Sequence, residues 1–412
     1  MAVWYLDPAR AVQAYQRLIA LPGAPRVRYA VKANSHPTLL AALAAAGAHF
    51  AVVAEPELRA LHAVGVPGQR IACVTPGPPA ALLRACRAAG VALYAVDSAW
   101  EVRKLAALVP GAAACVYLAL PPAGRLRYPV ARVGALLDEL DALLAAARDL
   151  SVRLVGVQIH VGSQCERPEA WGRGVELAAA AWERLRTGGW QPYLLNLGGG
   201  LPVPYRGPVA GPAAIARVVA RIVAQRFPAA PQLWWEPGRY VAADAGLLIA
   251  TVQRYTPGAR PMVQLDVGRY RGLPEAARGI RYTYLADRQG PLARCIVVGP
   301  LGPDYDLLDR AACCLPWRRV TACGCRAPAP IPSRRRRMRS RPISRWWSVR
   351  CRRCRRKRSR RPWRDHSCSS GPARPVAQLS GWRPSSRSTS STMSVPHSAC
   401  IAESETGCGM SP

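Results

Sequence analysis

Four short runs of the sequence concentrate the residues that could do chemistry. They are Tyr29-Ala30-Val31-Lys32-Ala33-Asn34, Ile159-His160-Val161-Gly162-Ser163-Gln164, Asn196-Leu197-Gly198-Gly199-Gly200-Leu201-Pro202 and Glu236-Pro237-Gly238-Arg239. A lysine closing an apolar run is partly desolvated, which favours its neutral, nucleophilic amine. A lysine that merely ends a strand is the plainer alternative. The whole sequence holds only Lys32, Lys104 and Lys357, so an incidental lysine is less expected here. Consecutive glycines expose backbone N–H groups that a phosphate could approach, helped by a following helix N-terminus. A tight turn would use the same glycines. Arg239 could pair with that phosphate or with Glu236. In a dry setting Glu236 could keep a pyridine nitrogen protonated, which makes such a ring an electron sink. His160 could lie flat on the ring or be a structural histidine.

These runs can act together only if the fold gathers them. From Arg26 to Trp235, β-rich runs alternate with Ala/Leu-rich stretches of helical spacing. The pattern predicts strands over Val27–Val31, Phe50–Val53, Ile71–Val74, Ala92–Val96, Ala114–Leu120, Leu154–Val161, Tyr193–Leu197 and Gln232–Trp235. Eight buried strands, each followed by a helix, predict a parallel (β/α)8 TIM barrel. The four runs then lie just past the C-terminal ends of its first, sixth, seventh and eighth strands, facing one mouth. After Tyr240 the pattern changes to strands at Gly246–Tyr255, Met262–Val267, Tyr282–Leu285 and Cys295–Val298 without helices between them. The predicted organisation is a barrel with an N-terminal segment over 1–245, an incomplete β domain over 246–322, and a tail over 323–412. The Arg/Pro/Ser-rich tail cannot bury a core and is expected to be disordered.

Of the 57 basic and 24 acidic residues, 21 and 3 follow from Thr321 onward, so more than half of the +33 net charge sits in the tail. Such a tail would hold polyanions in a salt-sensitive way, but it lacks aromatic interleaving, and no specific nucleic-acid partner is expected. The pair Cys351 and Cys354 has no second pair at finger spacing, so no metal site is expected. The 14 cysteines divide evenly about Thr321, and those of the body show no disulfide spacing, as in a reduced cytoplasm. The N-terminal MAVWYLDPARAV lacks the apolar run of a signal peptide, and no stretch of about 18 apolar residues occurs. A cytoplasmic protein without membrane association is expected.

Taken together, YAVKAN, the Glu57-Leu58 pair, Asp97-Ser98 with Glu101, HVGSQ, NLGGGLP and EPGR resemble one family. It is that of the pyridoxal-phosphate decarboxylases of alanine-racemase fold, which act on ornithine, diaminopimelate, arginine and carboxynorspermidine. The similarity runs from about Trp4 to Pro316, and Asp266-Val267-Gly268-Arg269-Tyr270-Arg271-Gly272-Leu273 leans it toward the bacterial ornithine/lysine branch. The resemblance implies pyridoxal phosphate as cofactor and a Schiff base on Lys32, with His160 stacked on the ring and Glu236 on its nitrogen. It assigns the phosphate to Ser163, Gly199, Gly200, Gly238 and Arg239. It also implies a head-to-tail homodimer with shared sites, and decarboxylation of a basic amino acid, most concretely L-ornithine to putrescine.

Several positions depart from the family. Its Phe-Asp-x-Ala-Ser becomes Phe50-Ala51-Val52-Val53-Ala54, which loses a carboxylate, and Leu118 stands for an arginine of the fifth strand. The motif Gly-Pro-x-Cys-Asp-x-x-Asp becomes Gly299-Pro300-Leu301-Gly302-Pro303-Asp304-Tyr305-Asp306. The proton-donating cysteine is thus Gly302 and the substrate-gripping aspartate Pro303, unless a one-residue slip lets Asp304 serve. These losses leave open a cofactor-binding protein of the same fold with impaired or no decarboxylase activity. From Arg326 the family's Gly-Ala-Tyr and Phe-Asn-Gly-Phe segments are missing. GC-rich DNA read out of frame would give just such an Arg/Pro/Ser/Cys mixture, so a frame shift near Gly324–Arg326 is expected.

Overall fold

The computed structural model describes residues 2–23, 25–120, 133–205, 207–286, 293–314 and 319–323. The expectations for the basic tail, its cysteines and its reading frame lie at 324–412, outside the described residues.

The chain opens with β1 (Val3–Leu6) and α1 (Pro8–Ile19). Asp7 starts that helix by accepting from the Ala9 N–H at 3.2 Å, with Pro8 in the first helical position. Strands and helices then alternate: β2 (Arg26–Ala30), α2 (Pro37–Ala45), β3 (His49–Ala51), α3 (Glu55–Ala63), β4 (Ile71–Ala72), α4 (Ala80–Ala88), β5 (Leu93–Val96) and α5 (Ala99–Leu108). They continue with β6 (Ala113–Tyr117), α6 (Leu140–Asp149), β7 (Arg153–Gln158), α7 (Pro168–Thr187), β8 (Leu194–Asn196), α8 (Pro212–Arg226) and β9 (Gln232–Trp235). The eight strands β2 to β9 form one parallel sheet in the order β4-β3-β2-β9-β8-β7-β6-β5, and a bridge between Cys73 and Tyr94 joins its ends. The expected barrel is present.

Alternate residues of each strand point into the barrel and out toward the helices. The inside is filled largely by small side chains, among them Ala51, Ala72, Ala95, Ala113 and Cys115, with Trp234 as a large exception. The outer layer is bulkier. There Tyr29 meets Phe50 edge-on at 6.4 Å, and Trp171 of α7 stacks on Trp235 at 5.6 Å. On the fifth barrel strand, Leu118 belongs to the outer layer while Tyr117 packs against the inner one. The residue this strand offers to the mouth is therefore Tyr117.

The short α9 (Arg239–Ala242) leads into β10 (Gly246–Thr256), β11 (Met262–Leu265), β12 (Thr283–Ala286), β13 (Ala293–Val298), α10 (Gly302–Tyr305), β14 (Leu307–Cys314) and β15 (Arg319–Cys323). These strands make a second sheet in the order β12-β15-β10-β11-β13-β14, with β1 also on β10. Its pairs are antiparallel except β11 with β13. It has its own core, centred on Leu248, Leu265, Val267, Val297 and Leu308. The N-terminal strand, grouped with the barrel from sequence, thus pairs with the second sheet, and β14 and β15 are strands the sequence pattern did not suggest. Cys295 is disulfide-bonded, against the expectation drawn from scattered cysteines, whereas Cys73, Cys86, Cys115 and Cys165 are free and buried. Among the described residues no helix is long and apolar enough to cross a membrane.

Candidate active site

The end of β2 passes directly into a 3-10 turn, Val31–Ala33, that carries Lys32. The neighbouring strand β9 ends just before Glu236, and the Ala30 N–H donates across to the Pro237 carbonyl at 3.2 Å. β7 ends just before His160 and β8 just before the triple glycine. The Ile159 N–H donates to Asn196 O and the Glu236 N–H to Gly198 O, both at 2.8 Å. Four separate runs are thereby fixed to one rim by backbone hydrogen bonds.

Lys32 is exposed, which corrects the expectation of a desolvated amine. The reason is local: the lysine projects from a turn beyond the strand and not from the apolar strand itself. Its charge is still felt by Glu57, His160 and Glu236. Burial, then Lys32, lowers the His160 imidazole to about 4, so the ring is neutral near neutral pH. Burial raises the Glu236 carboxyl to about 6, opposed by Asn196, Lys32 and Arg28. Asn196 Nδ2 donates to Glu236 Oε1 at 2.8 Å, while its Oδ1 accepts from the Gly198 N–H at 3.0 Å. Asn196 therefore ties the carboxylate to the glycine run, a role that its place at the head of that run could have suggested.

The glycines are required by close approach. A Cβ on Gly199 would lie 2.7 Å from Glu236 O, and one on Gly200 would lie 2.5 Å from Gly162 O. Gly200 also has φ +109°, a region that side chains rarely adopt. A Cβ on Gly238 would meet the Ala33 methyl at 2.8 Å, so this glycine packs on the lysine turn. Arg239 does not pair with Glu236. Its guanidinium donates to Ser163 Oγ at 3.1 Å, to Tyr205 Oη at 2.9 Å and to both carboxylate oxygens of Glu275. Burial opposes its charge, but Glu275 and Tyr205 outweigh burial and hold its pKa above the ordinary value. Tyr205 and Glu275 lie in segments whose sequence carries no recognisable signal.

Arg239 Nε is buried without a partner, a donor left over on a guanidinium that also reaches Ser163. That donor, the tight glycine cradle, the half-buried Glu236, the neutral His160 and the nearby Lys32 amine fit pyridoxal phosphate. Asp304 is not brought to this rim. It is exposed on α10, which packs on β13 and β14, and it makes no hydrogen bond or ion pair among the described residues. The buried carboxylate of that segment is Asp306. Gly302 and Pro303 share the same short helix, and neither supplies a polar side chain.

Residues 9–243 match the family profile described as pyridoxal-dependent decarboxylase, pyridoxal binding domain. The lysine/ornithine decarboxylase of Selenomonas ruminantium is 32% identical over 245 residues, 59% of this chain and 62% of that protein. Antizyme inhibitor 2 of Homo sapiens is 31% identical over 180 residues, 43% of this chain and 39% of that protein. The chain thus spans about three fifths and two fifths of the lengths of these relatives. The crystal structure of the lysine decarboxylase of Selenomonas ruminantium superposes with a TM-score of 0.70 at 27% identity, covering 79% of this chain and 86% of that one. With its pyridoxal-binding barrel matched across more than half of its length, this protein belongs to the pyridoxal-dependent decarboxylase family.

Proposed function

We propose that the protein decarboxylates a basic amino acid, most concretely L-ornithine to putrescine, a polyamine precursor, in the cytoplasm. The observation that supports this reading most is the convergence of Lys32, His160 and Glu236 beside Ser163, Gly200 and Arg239. Pyridoxal phosphate, when bound, supplies an aldehyde for an amine to condense with and a ring that takes up the electron pair left when CO2 departs. Lys32 would be the anchoring amine, carried on an exposed turn outside the packed core. His160, a neutral imidazole, would lie against the ring and add no charge beside it. Glu236, held by Asn196, keeps a proton on the ring nitrogen. Ser163, Gly199, Gly200, Gly238 and Arg239 bind the phosphate. The naming of the Selenomonas relative as a lysine/ornithine decarboxylase supports a diamino acid as substrate. A head-to-tail homodimer belongs to this reading. Tyr270, Leu301 and Tyr305, respectively 72%, 61% and 69% exposed, are side chains that a second copy would cover.

A second reading, a cofactor-binding protein without turnover, is favoured by one observation. The turn at Gly302, Pro303 and Asp304 offers no thiol that could donate a proton. The human relative also bears the name of an inhibitor and not of a decarboxylase. The test is CO2 release from L-ornithine and L-lysine by purified protein with added pyridoxal phosphate, alongside the visible absorbance of bound cofactor. The expected outcome is both signals, with ornithine the better substrate. Absorbance without CO2 would establish the second reading, and the absence of both would sink the two together.

A further inference from the structure

An arginine lies inside the barrel. Arg28, in the middle of β2, is 5% exposed and points inward, where the small side chains of neighbouring strands leave room for it. Its guanidinium lies over the Trp234 ring at 3.6 Å. Nη1 donates to His49 Nδ1 at 3.2 Å and reaches the Arg70 carbonyl at 3.5 Å, while Nε is buried without a partner. Among the described residues no carboxylate lies within ion-pair distance of Arg28. A buried cation without a counter-ion is costly, so the question is which anion balances it.

The strand register points to Glu236. β2 pairs with β9 in parallel, Arg26 beside Trp234 and Val27 beside Trp235, which sets Arg28 level with Glu236. Trp234 and Glu236 share one face of β9, about 6–7 Å apart at strand spacing. Arg28, resting on Trp234, therefore sits one side-chain layer beneath Glu236. Glu236 likewise makes no ion pair among the described residues, and its side-chain hydrogen bond is to the neutral Asn196.

We propose that Arg28 is the buried counter-charge of Glu236, a positioning residue that keeps this carboxylate ionised from below. The inference rests on the reading of Glu236 as the partner of the cofactor's ring nitrogen. The groups facing Glu236 are Asn196 from β8, Tyr117 and Cys115 from β6, Lys32 from the turn after β2, and Arg28. Burial first, and then Glu236, holds the Tyr117 phenol and the Cys115 thiol above their ordinary values, so both stay neutral. Two cations remain. Lys32 is the amine that anchors the cofactor on the proposed reading, which leaves Arg28 as the permanent positive charge. The coupling runs both ways: burial lowers Arg28 to about 10, and Glu236 is the foremost group raising it. At that value the guanidinium stays protonated at neutral pH.

The test is the titration of Glu236 in cofactor-free protein, followed through the infrared carbonyl band of its acid form and assigned by loss of the band in E236Q. Arg28→Met should raise the midpoint by about one pH unit. Arg28→Lys, which keeps the charge, should restore most of that shift. In the loaded enzyme the acid limb of CO2 release should move with it. A folded R28M protein with an unmoved Glu236 midpoint overturns the proposal. A moved midpoint with an unmoved acid limb upholds the counter-charge and refutes the ring-nitrogen reading. Should R28M fail to fold, the isosteric E236Q serves instead. It should lower the guanidinium titration of Arg28, read by carbon NMR, by a similar amount, because coupling is reciprocal. An unchanged Arg28 titration there overturns the proposal.

Discussion

Glu236 in the barrel and Asp306 in the C-terminal sheet are both acids at the end of a strand or beside one, yet their surroundings use them differently. Glu236 is half-buried at an open rim, held by one amide and left without an ion pair among the described residues. Asp306 is 1% exposed and accepts the Arg269 N–H at 2.6 Å. It fills a notch between Gly268 and Gly299, where an added Cβ would come within 1.9 Å and 2.0 Å of its Oδ2. One carboxylate keeps access to the rim and the other is enclosed by the fold. The same division holds for the two halves: the barrel gathers its polar side chains at one rim, while the turn at Gly302, Pro303 and Asp304 has kept no polar contact with it. The cradle for a cofactor is therefore a property of the barrel, joined from the second half by Glu275 through Arg239.

The comparison breaks first at Lys32. Lys32→Ala should abolish the visible absorbance of bound cofactor and all CO2 release. The melting temperature of the cofactor-free protein should hardly move, because the residue is exposed. A retained absorbance band would remove Lys32 from its role. Asp306→Ala should do the reverse. Leaving the Arg269 N–H unpaired in a vacated notch should cost about 2–3 kcal/mol in urea unfolding, with the absorbance per folded molecule unchanged.

Smaller effects lie in the pH dependence. His160 and His49 are both lowered from 6.5 to about 4, with burial as the leading cause. Both stay neutral in the folded chain while the unfolded chain takes up protons, so stability present above pH 6.5 should be lost as pH falls toward 4. Glu236 acts with the opposite sign. Its folded value of about 6 lies above 4.5, so its ionisation costs stability as pH rises through 6. Urea unfolding should find Glu236→Gln about 1 kcal/mol more stable than the wild type at pH 8 and equal to it at pH 4. An equal stability at both values would mean that Glu236 is well solvated. The smallest effect is expected from truncation after Cys323, which should leave melting temperature and absorbance unchanged while removing polyanion binding. Truncation after Pro316 differs, because it takes β15 from between β10 and β12 and opens sheet edges to aggregation. Resequencing the gene around Gly324–Arg326 tests the reading frame. A clean frame, with no Gly-Ala-Tyr or Phe-Asn-Gly-Phe encoded in another frame, would sink the frame-shift expectation.

The sequence alone determined the alternation of strand and helix, because a buried parallel strand must be apolar on both faces and its crossover helix on one. It also determined which four strand ends carry polar residues, since Lys32, His160, the triple glycine and Glu236 each interrupt an apolar run. Tertiary structure decided the rest. Whether Tyr117 or Leu118 faces the mouth depends on one residue of strand register, which composition does not encode. Arg28 reads locally as a charge in a short strand, and only closure of the barrel turns it into a buried cation under Glu236. Glu275 and Tyr205 reach Arg239 from distant segments, and β1 and β15 find β10 from the two ends of the described chain. Local periodicity reports which face of an element is apolar. The partner that covers that face is chosen by contacts between residues far apart in the chain, and those contacts made this rim.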